Sequence, residues 1–326
     1  MISFSCISFR DMNRFKSILF VYCGNSDANL EALRQALELA ETNRGKVSVL
    51  TVLKRLPEDW HYKIPLERYL KEQVEADVRK VVTELGGPLS AVPDIAFVGG
   101  EPFIEIVGQV MAHGYDLVIK ATETVSEKRI KGFPTTDMRI LRKCPCPLWL
   151  FRGANKREHP LRILAAIDPD LERPASDPMA RLILELASSL RERTNGVLEI
   201  LHCWELEYED AMRHSPFLRV SEESLDEQIQ KMEALHTGAI AKATSDFATH
   251  PSTSISTIKG NPADVILRKA VEDGVDLIVM GTVARTGIQG LFIGNTAESI
   301  LTQVECSVLT LKPEGFVIPV APSKSN

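Results

Sequence analysis

The chain repeats itself, and nothing else in the sequence limits its folds as strongly. Slid by 160 positions, the later parts of its two halves align without a gap. Gly100 and Pro102 fall on Gly260 and Pro262, and Gly114, Asp116 and Leu117 fall on Gly274, Asp276 and Leu277. Thr122, Leu141 and Cys146 fall on Thr282, Leu301 and Cys306. The starts match as well: SILFVY (17–22) with RILAAI (162–167), and VSVLTVL (47–53) with LEILHCW (198–204). Two copies of one domain follow, at residues 13–152 and 161–313, joined by the polar stretch 153–160. Residues 314–326 read as a flexible tail. Residues 1–12 read as a disordered extension, with Met12 as an alternative start of translation.

Within each copy the apolar pattern alternates between strand and helix. In the first copy strands are expected near 17–22, 47–53, 94–98, 116–120 and 147–152, with a long helix over 66–84. In the second they are expected at 162–167, 197–204, up to Gly260, 275–281 and 307–312. Helices are predicted over 178–194, 221–247, 262–273 and 295–304. Apolar strands separated by helices demand a parallel sheet covered on both faces. The expected class is therefore α/β: two tandem domains, each a five-stranded, parallel, Rossmann-like sheet with helices on both sides. In such sheets ligands bind beyond the carboxyl ends of the strands, where the strand order reverses.

A net charge of −6 argues against a nucleic-acid partner, which needs clustered Lys and Arg. No apolar run approaches the roughly 18 residues of a membrane helix, so no membrane partner is expected. The apolar start MISFSCISFR lacks a basic leader and a small-residue cleavage site, which predicts a cytoplasmic protein with reduced thiols. Of the six cysteines, only Cys144 and Cys146 are close, and KCPCP lacks a second ligand pair for metal.

The chemistry-bearing candidate is MGTVARTGIQGLFIGNTAES, residues 280–299, between a buried strand and the last helix. In it Gly281 is followed after two residues by Ala284, and Ala284 after nine by Gly294, Asn295 and Thr296. This layout resembles the universal stress protein superfamily, whose fold is also described as adenine nucleotide alpha hydrolase-like. Its nucleotide-binding members carry G-x2-G-x9-G-[ST] at this place. The spacing is intact, whereas Ala284 replaces the second glycine and Asn295 the Ser/Thr. The resemblance covers about residues 13–313 and implies ATP or a related adenine nucleotide, with Mg²⁺, as the ligand. Gly281 and Gly294 would let backbone N–H groups approach a phosphate, Thr296 would add a hydroxyl, and Arg285 would face a terminal phosphate. The resemblance further assigns Asp168 to the adenosine moiety and the backbone at His202 or Cys203 to the adenine. Each position has a plainer alternative. Asn295 with Glu298 forms a capping box, Asp168 in DPD has turn chemistry, and His202 suits a packed strand.

In the first copy Cys23 stands for the aspartate, and Ala121, Thr124 and Pro134 stand where glycines would lie. Pro134 has no N–H to offer, while Thr135 and Thr136 can cap the next helix with Asp137 in its first turn. No nucleotide is expected there. Lys128, Arg129 and Lys131 form a basic loop, read as solvated or as a landing place for an acidic partner. No nucleophile elbow, P-loop or H-E-x-x-H helix is present. At most, slow ATP hydrolysis or self-phosphorylation is expected. The leading expectation is a non-catalytic stress-response protein whose second domain binds nucleotide. The alternative is an adaptor or scaffold acting through partners, or through its last strands, PLWLF (147–151) and SVLTL (307–311), as an internal pseudo-dimer or a homodimer.

Overall fold

The computed structural model describes residues 14–24, 26–53, 60–87, 92–122, 131–153, 159–215, 217–218, 220–282 and 293–313. The proposed extension 1–12, most of the linker and the tail 314–326 lie outside the described residues. The first copy runs β1 (Ser17–Val21), α1 (Asp27–Asn43), β2 (Lys46–Leu53), α2 (Lys63–Glu84), β3 (Asp94–Gly99), α3 (Pro102–His113), β4 (Leu117–Ala121), α4 (Thr135–Lys143) and β5 (Leu148–Phe151). The second runs β6 (Arg162–Ala166), α5 (Pro178–Thr194), β7 (Val197–Trp204), α6 (Glu209–His214), α7 (Glu222–Ala243), β8 (Thr253–Lys259), α8 (Pro262–Glu272), β9 (Leu277–Gly281), α9 (Asn295–Leu301) and β10 (Ser307–Leu311). The α/β alternation expected from periodicity is present, with α6 as an addition.

The helix boundaries follow local chemistry. Asp177 caps α5 by accepting from the Met179 and Ala180 N–H groups at 2.9 Å, and Pro178 occupies its first turn. Asn261 and Pro262 open α8 in the same way. Asn195 closes α5 in the left-handed region, φ 51°, a conformation its short amide side chain tolerates.

The chain divides into two compact units, residues 1–157 with 282–326, and residues 158–281. In the first unit the strand order is β3-β2-β1-β4-β5-β10. Its first five strands are parallel, and β10 runs antiparallel to β5. In the second unit the order is β9-β6-β7-β8, all parallel. The unit boundary thus cuts the second repeat after Gly281, and α9 and β10 group with the first repeat.

Burial explains the ladders. β4, β5 and β10 are buried along their whole length, as expected for strands covered on both faces. Ile18, Phe20, Leu33 and Ile119 are fully enclosed beside them, each worth about 1.5–3 kcal/mol of apolar transfer. Unpaired, β5 would present a hydrophobic edge. Instead Val308, Leu309 and Thr310 register with Leu150, Trp149 and Leu148, and the Thr310 hydroxyl donates to Leu148 O at 3.1 Å. The approach is tight at Gly132, whose φ is 72° and where a Cβ would meet the Thr302 carbonyl at 2.1 Å. Only glycine fits there.

Leu309→Pro should therefore remove a ladder donor from a fully buried strand, costing about 1–3 kcal/mol in urea unfolding. It should also raise self-association in sedimentation velocity as the β5 edge is bared. A variant that unfolds like the parent and stays at the parent's mass would contradict the pairing.

Candidate functional site

In the unit 158–281, β6 connects to β7 on one side and has β9 on the other. The order reverses between β6 and β9, so the crevice lies past Ala166 and Gly281. Asp168 follows β6 there with a side chain 76% exposed. Turn capping is performed by its neighbour: Asp170 accepts from the N–H groups of Glu172 and Arg173 at 2.8 and 3.1 Å. The Asp168 carboxylate lies 3.8 Å from His202 Nδ1 through its Oδ1.

On β7, alternate residues bond to opposite neighbours. The Val197 N–H donates to Leu161 O on the β6 side, whereas Leu198 donates to Ser252 O on the β8 side. Among the described residues the β6 side ends where Ile167 N–H donates to Leu201 O at 3.0 Å. Two residues on, the main-chain N–H and C=O of Cys203 face the same side beyond the end of β6, toward the crevice. The Cys203 thiol is pushed up to about 12, by burial first and Asp168 second, so it is no nucleophile at neutral pH.

His202 points the other way and is buried. Its Nδ1 lies 3.2 Å from Ile167 O, and a carbonyl only accepts, so Nδ1 carries the proton. Nε2 is then the acceptor, and His236 on α7 donates to it through Nδ1–H at 2.8 Å. The His236 ring stacks on Trp204 with centroids 5.2 Å apart and planes 13° from parallel. His202 Nδ1 also lies 3.8 Å from Asp168 Oδ1. Burial, and then His202, hold His236 below its ordinary 6.5, with Asp168 opposing. Sequence reading placed His202 on the strand but had no signal for His236 or Trp204 as its partners.

Gly281 closes β9 outside the left-handed region, and a Cβ on it would meet Met179 at an ordinary 3.5 Å. Its neighbours among the described residues do not require glycine. Ala284 and Arg285 lie outside the described residues. In the unit that holds α9, Gly294 is the N-cap, φ −75° and ψ 152°, with no side-chain cap bond. The expected Asn295–Glu298 capping box is thereby corrected: Asn295 and Thr296 are the first two helical residues. The Gly294 N–H donates to Thr282 O at 2.8 Å.

The equivalent place in the first copy is filled from within. α4 starts on Pro134 without a side-chain cap, so Thr135 and Thr136 do not cap it. Asp137 in its first turn is 1% exposed and pairs with the Lys120 ammonium of β4 at 2.9 Å; Lys120 also donates to Ala121 O at 3.0 Å. In the second copy, Lys120 and Asp137 correspond to Met280 and Ala297. Beside Cys23, whose N–H donates to the Asn29 side chain at 3.1 Å, no aspartate marks the end of β1. Thr124, Lys128 and Arg129 lie outside the described residues.

A duplicated, doubly wound α/β architecture with an acidic residue after the first strand of one copy defines a class of tandem two-copy α/β proteins. Within it, the chain belongs to the universal stress protein family, whose model matches residues 14–152 and 161–312. The second match runs across the unit boundary after Gly281. Universal stress protein E of Escherichia coli K12 is 27% identical over 222 residues, covering 67% of each chain. Its namesake from Salmonella typhi is 25% identical over 343 aligned positions, covering 95% of this chain and 98% of that one. The fold is shared with a functionally unknown protein of Pseudomonas aeruginosa PAO1, TM-score 0.64, 22% identity, covering 94% of this chain and 95% of that one. It is also shared with a universal stress protein of Archaeoglobus fulgidus, TM-score 0.56, 18% identity, covering 91% and 98%. Among the described residues no helix is long and apolar enough to cross a membrane.

Two outcomes follow from this geometry. Lys120→Met or Asp137→Ala alone strands a buried charge and should cost about 3–5 kcal/mol in urea unfolding. The double change, which installs the residues of the second copy, should recover most of that loss. Additive losses would show that the two groups do not interact. For His236 the sign follows from its depressed value. On acidification the unfolded chain binds this proton first, so the stability is complete above pH 6.5 and falls below it, levelling off beneath the folded value. His236→Phe keeps a ring on Trp204 and should flatten the acid limb by up to about 1.4 kcal/mol per pH unit. An unchanged limb in pH-dependent unfolding would refute the role of His236.

Proposed function

We propose that this is a cytoplasmic, non-catalytic stress-response protein whose second copy binds ATP or a related adenine nucleotide, with Mg²⁺. The difference between the two copies carries this reading. α4 has Asp137 and its counterion Lys120 folded into its start, whereas α9 starts on a bare glycine. The second copy thus keeps main-chain donors at a positive helix end for an anion. Asp168 would take the ribose and the Cys203 main chain the adenine. The loop from Gly281 through Ala284 and Arg285 to Gly294, Asn295 and Thr296 would take the phosphates.

Binding in the micromolar range, near −8 kcal/mol, should register in calorimetry with Mg-ATP. Absence of heat at millimolar nucleotide would end the proposal. Gly294→Asp separates ligand from fold. The backbone there is extended and suits any residue, and aspartate caps helices at least as well as glycine. The variant should keep its thermal stability, or gain a few tenths of a kcal/mol, while losing nucleotide binding through charge repulsion. Retained binding would place the phosphates elsewhere.

The scaffold reading has one observation in its favour. The last strands of both repeats pair with each other inside the chain, as an internal pseudo-dimer would. A compact monomer in solution scattering, together with no nucleotide heat, would favour it over the sensor.

A further inference from the structure

Independently of the nucleotide reading, the short sequence Cys144-Pro145-Cys146 joins α4 to β5 in the first unit. Helix α4 ends on Cys144, whose N–H donates to Ile140 O at 2.7 Å and whose own backbone is extended, φ −69° and ψ 127°. Pro145 cannot continue the helix, and it brings Cys146 back beside its neighbour. The two sulfurs lie 3.5 Å apart in hydrogen-bond contact. A disulfide requires about 2.05 Å, so closure brings the sulfurs roughly 1.5 Å nearer. Both are free thiols in this structure.

A cation completes the cluster. Lys312, the residue after β10, is 7% exposed and acts on both sulfurs electrostatically. Burial lowers its ammonium to about 8, with the two sulfurs opposing, so it stays largely charged at neutral pH. At Cys144 the hydrogen bond from Cys146 favours thiolate most, burial opposes it and the Lys312 charge adds to it, while Cys146 is pushed up by its bond to Cys144, by burial and by the Cys144 and Asp116 charges. One sulfur is thus prepared as nucleophile and the other as the thiol that resolves it.

We infer that Cys144 and Cys146 form an oxidisable dithiol, a modification site whose co-substrate is a small peroxide. Cys144 is fully enclosed and Cys146 is 9% exposed, which favours an oxidant little larger than water over bulky disulfides. The Cys144 thiolate attacks one oxygen of hydrogen peroxide, and the O–O bond breaks. The departing hydroxide takes up the proton that Cys144 released and leaves as water. The Cys146 sulfur then attacks the sulfenic sulfur, the S–O bond breaks, and a second water leaves with the Cys146 proton. Two thiols and one peroxide become one disulfide and two waters, with two electrons passing from sulfur to oxygen.

The sequence supplies its own readout. Trypsin cuts after Lys143 and after Arg152, so residues 144–152 leave as one peptide holding both sulfurs. After the folded protein is treated with hydrogen peroxide and then a thiol-blocking reagent, that peptide should be lighter by about 2 Da and unblocked. Dithiothreitol should restore two blockable thiols. Lys312→Met should slow the change by roughly three- to tenfold, following the lost thiolate fraction. In Cys146→Ser the same treatment should leave a dimedone-reactive sulfenic acid at Cys144. The proposal fails if both thiols stay blockable after peroxide, if either pairs instead with Cys306 or another cysteine, or if closure occurs only in urea. Should the serine variant not fold, the peptide mass from the parent chain decides alone.

Discussion

An ammonium on a strand buried along its whole length has to be matched, and the match between Lys120 and Asp137 sets the two copies apart. Unpaired, either charge would cost several kcal/mol in the interior. Paired, they occupy the region where a parallel sheet of this order otherwise stays open. The geometry of βαβ units leaves such an opening because the chain departs in opposite directions from two adjacent strands. Duplication produced two openings, and one of them now holds a permanent internal anion. The copy with Met280 and Ala297 has no charge at those positions.

The same economy governs the sheet edge. A lone copy of this fold would end on a buried-type strand with nothing beside it, a recognised hazard for aggregation. Here Trp149 and Leu309, both almost fully buried, sit opposite each other across an antiparallel ladder. Antiparallel pairing at this one junction follows from placing two copies of the same last strand edge to edge. The contact grouping of α9 and β10 with the first repeat has the same origin: Arg142 of α4 pairs with Glu298 of α9, and the Gly132 and Phe133 N–H groups donate to Val304 and Leu301 carbonyls.

Much of this was legible in the sequence. The strands are apolar and β-branched and alternate with helical periods, so the element order and the parallel sheet could be read directly. α5 was bounded correctly because Asp177, Pro178 and Asn195 punctuate it. Short, polar α6 has no buried residues and no apolar stripe to reveal it. The start of α9 at Asn295 was read correctly, whereas its N-cap is Gly294 and not Asn295, because both are acceptable caps and only the backbone angle decides between them. The unit boundary at Gly281 depends on contacts between residues far apart in sequence, which periodicity does not encode. The pairing of Lys120 with Asp137 was also hidden, since seventeen positions separate them and a lysine in an apolar run carries no pointer to its partner.

The histidine pair limits what the crevice of the second copy can do. With Nδ1 of His202 donating to Ile167 O and Nε2 accepting from His236, the His202 ring is satisfied as a neutral imidazole. A proton added at His202 Nε2 would have to displace the His236 N–H, at the cost of a buried hydrogen bond. The histidine pair therefore supplies packing and stacking within the described residues. The described side chain after β6, that of Asp168, is exposed and presents oxygen acceptors. Under the proposed function, compensation for phosphate charge would come from main-chain N–H dipoles, from a bound divalent cation, or from Arg285.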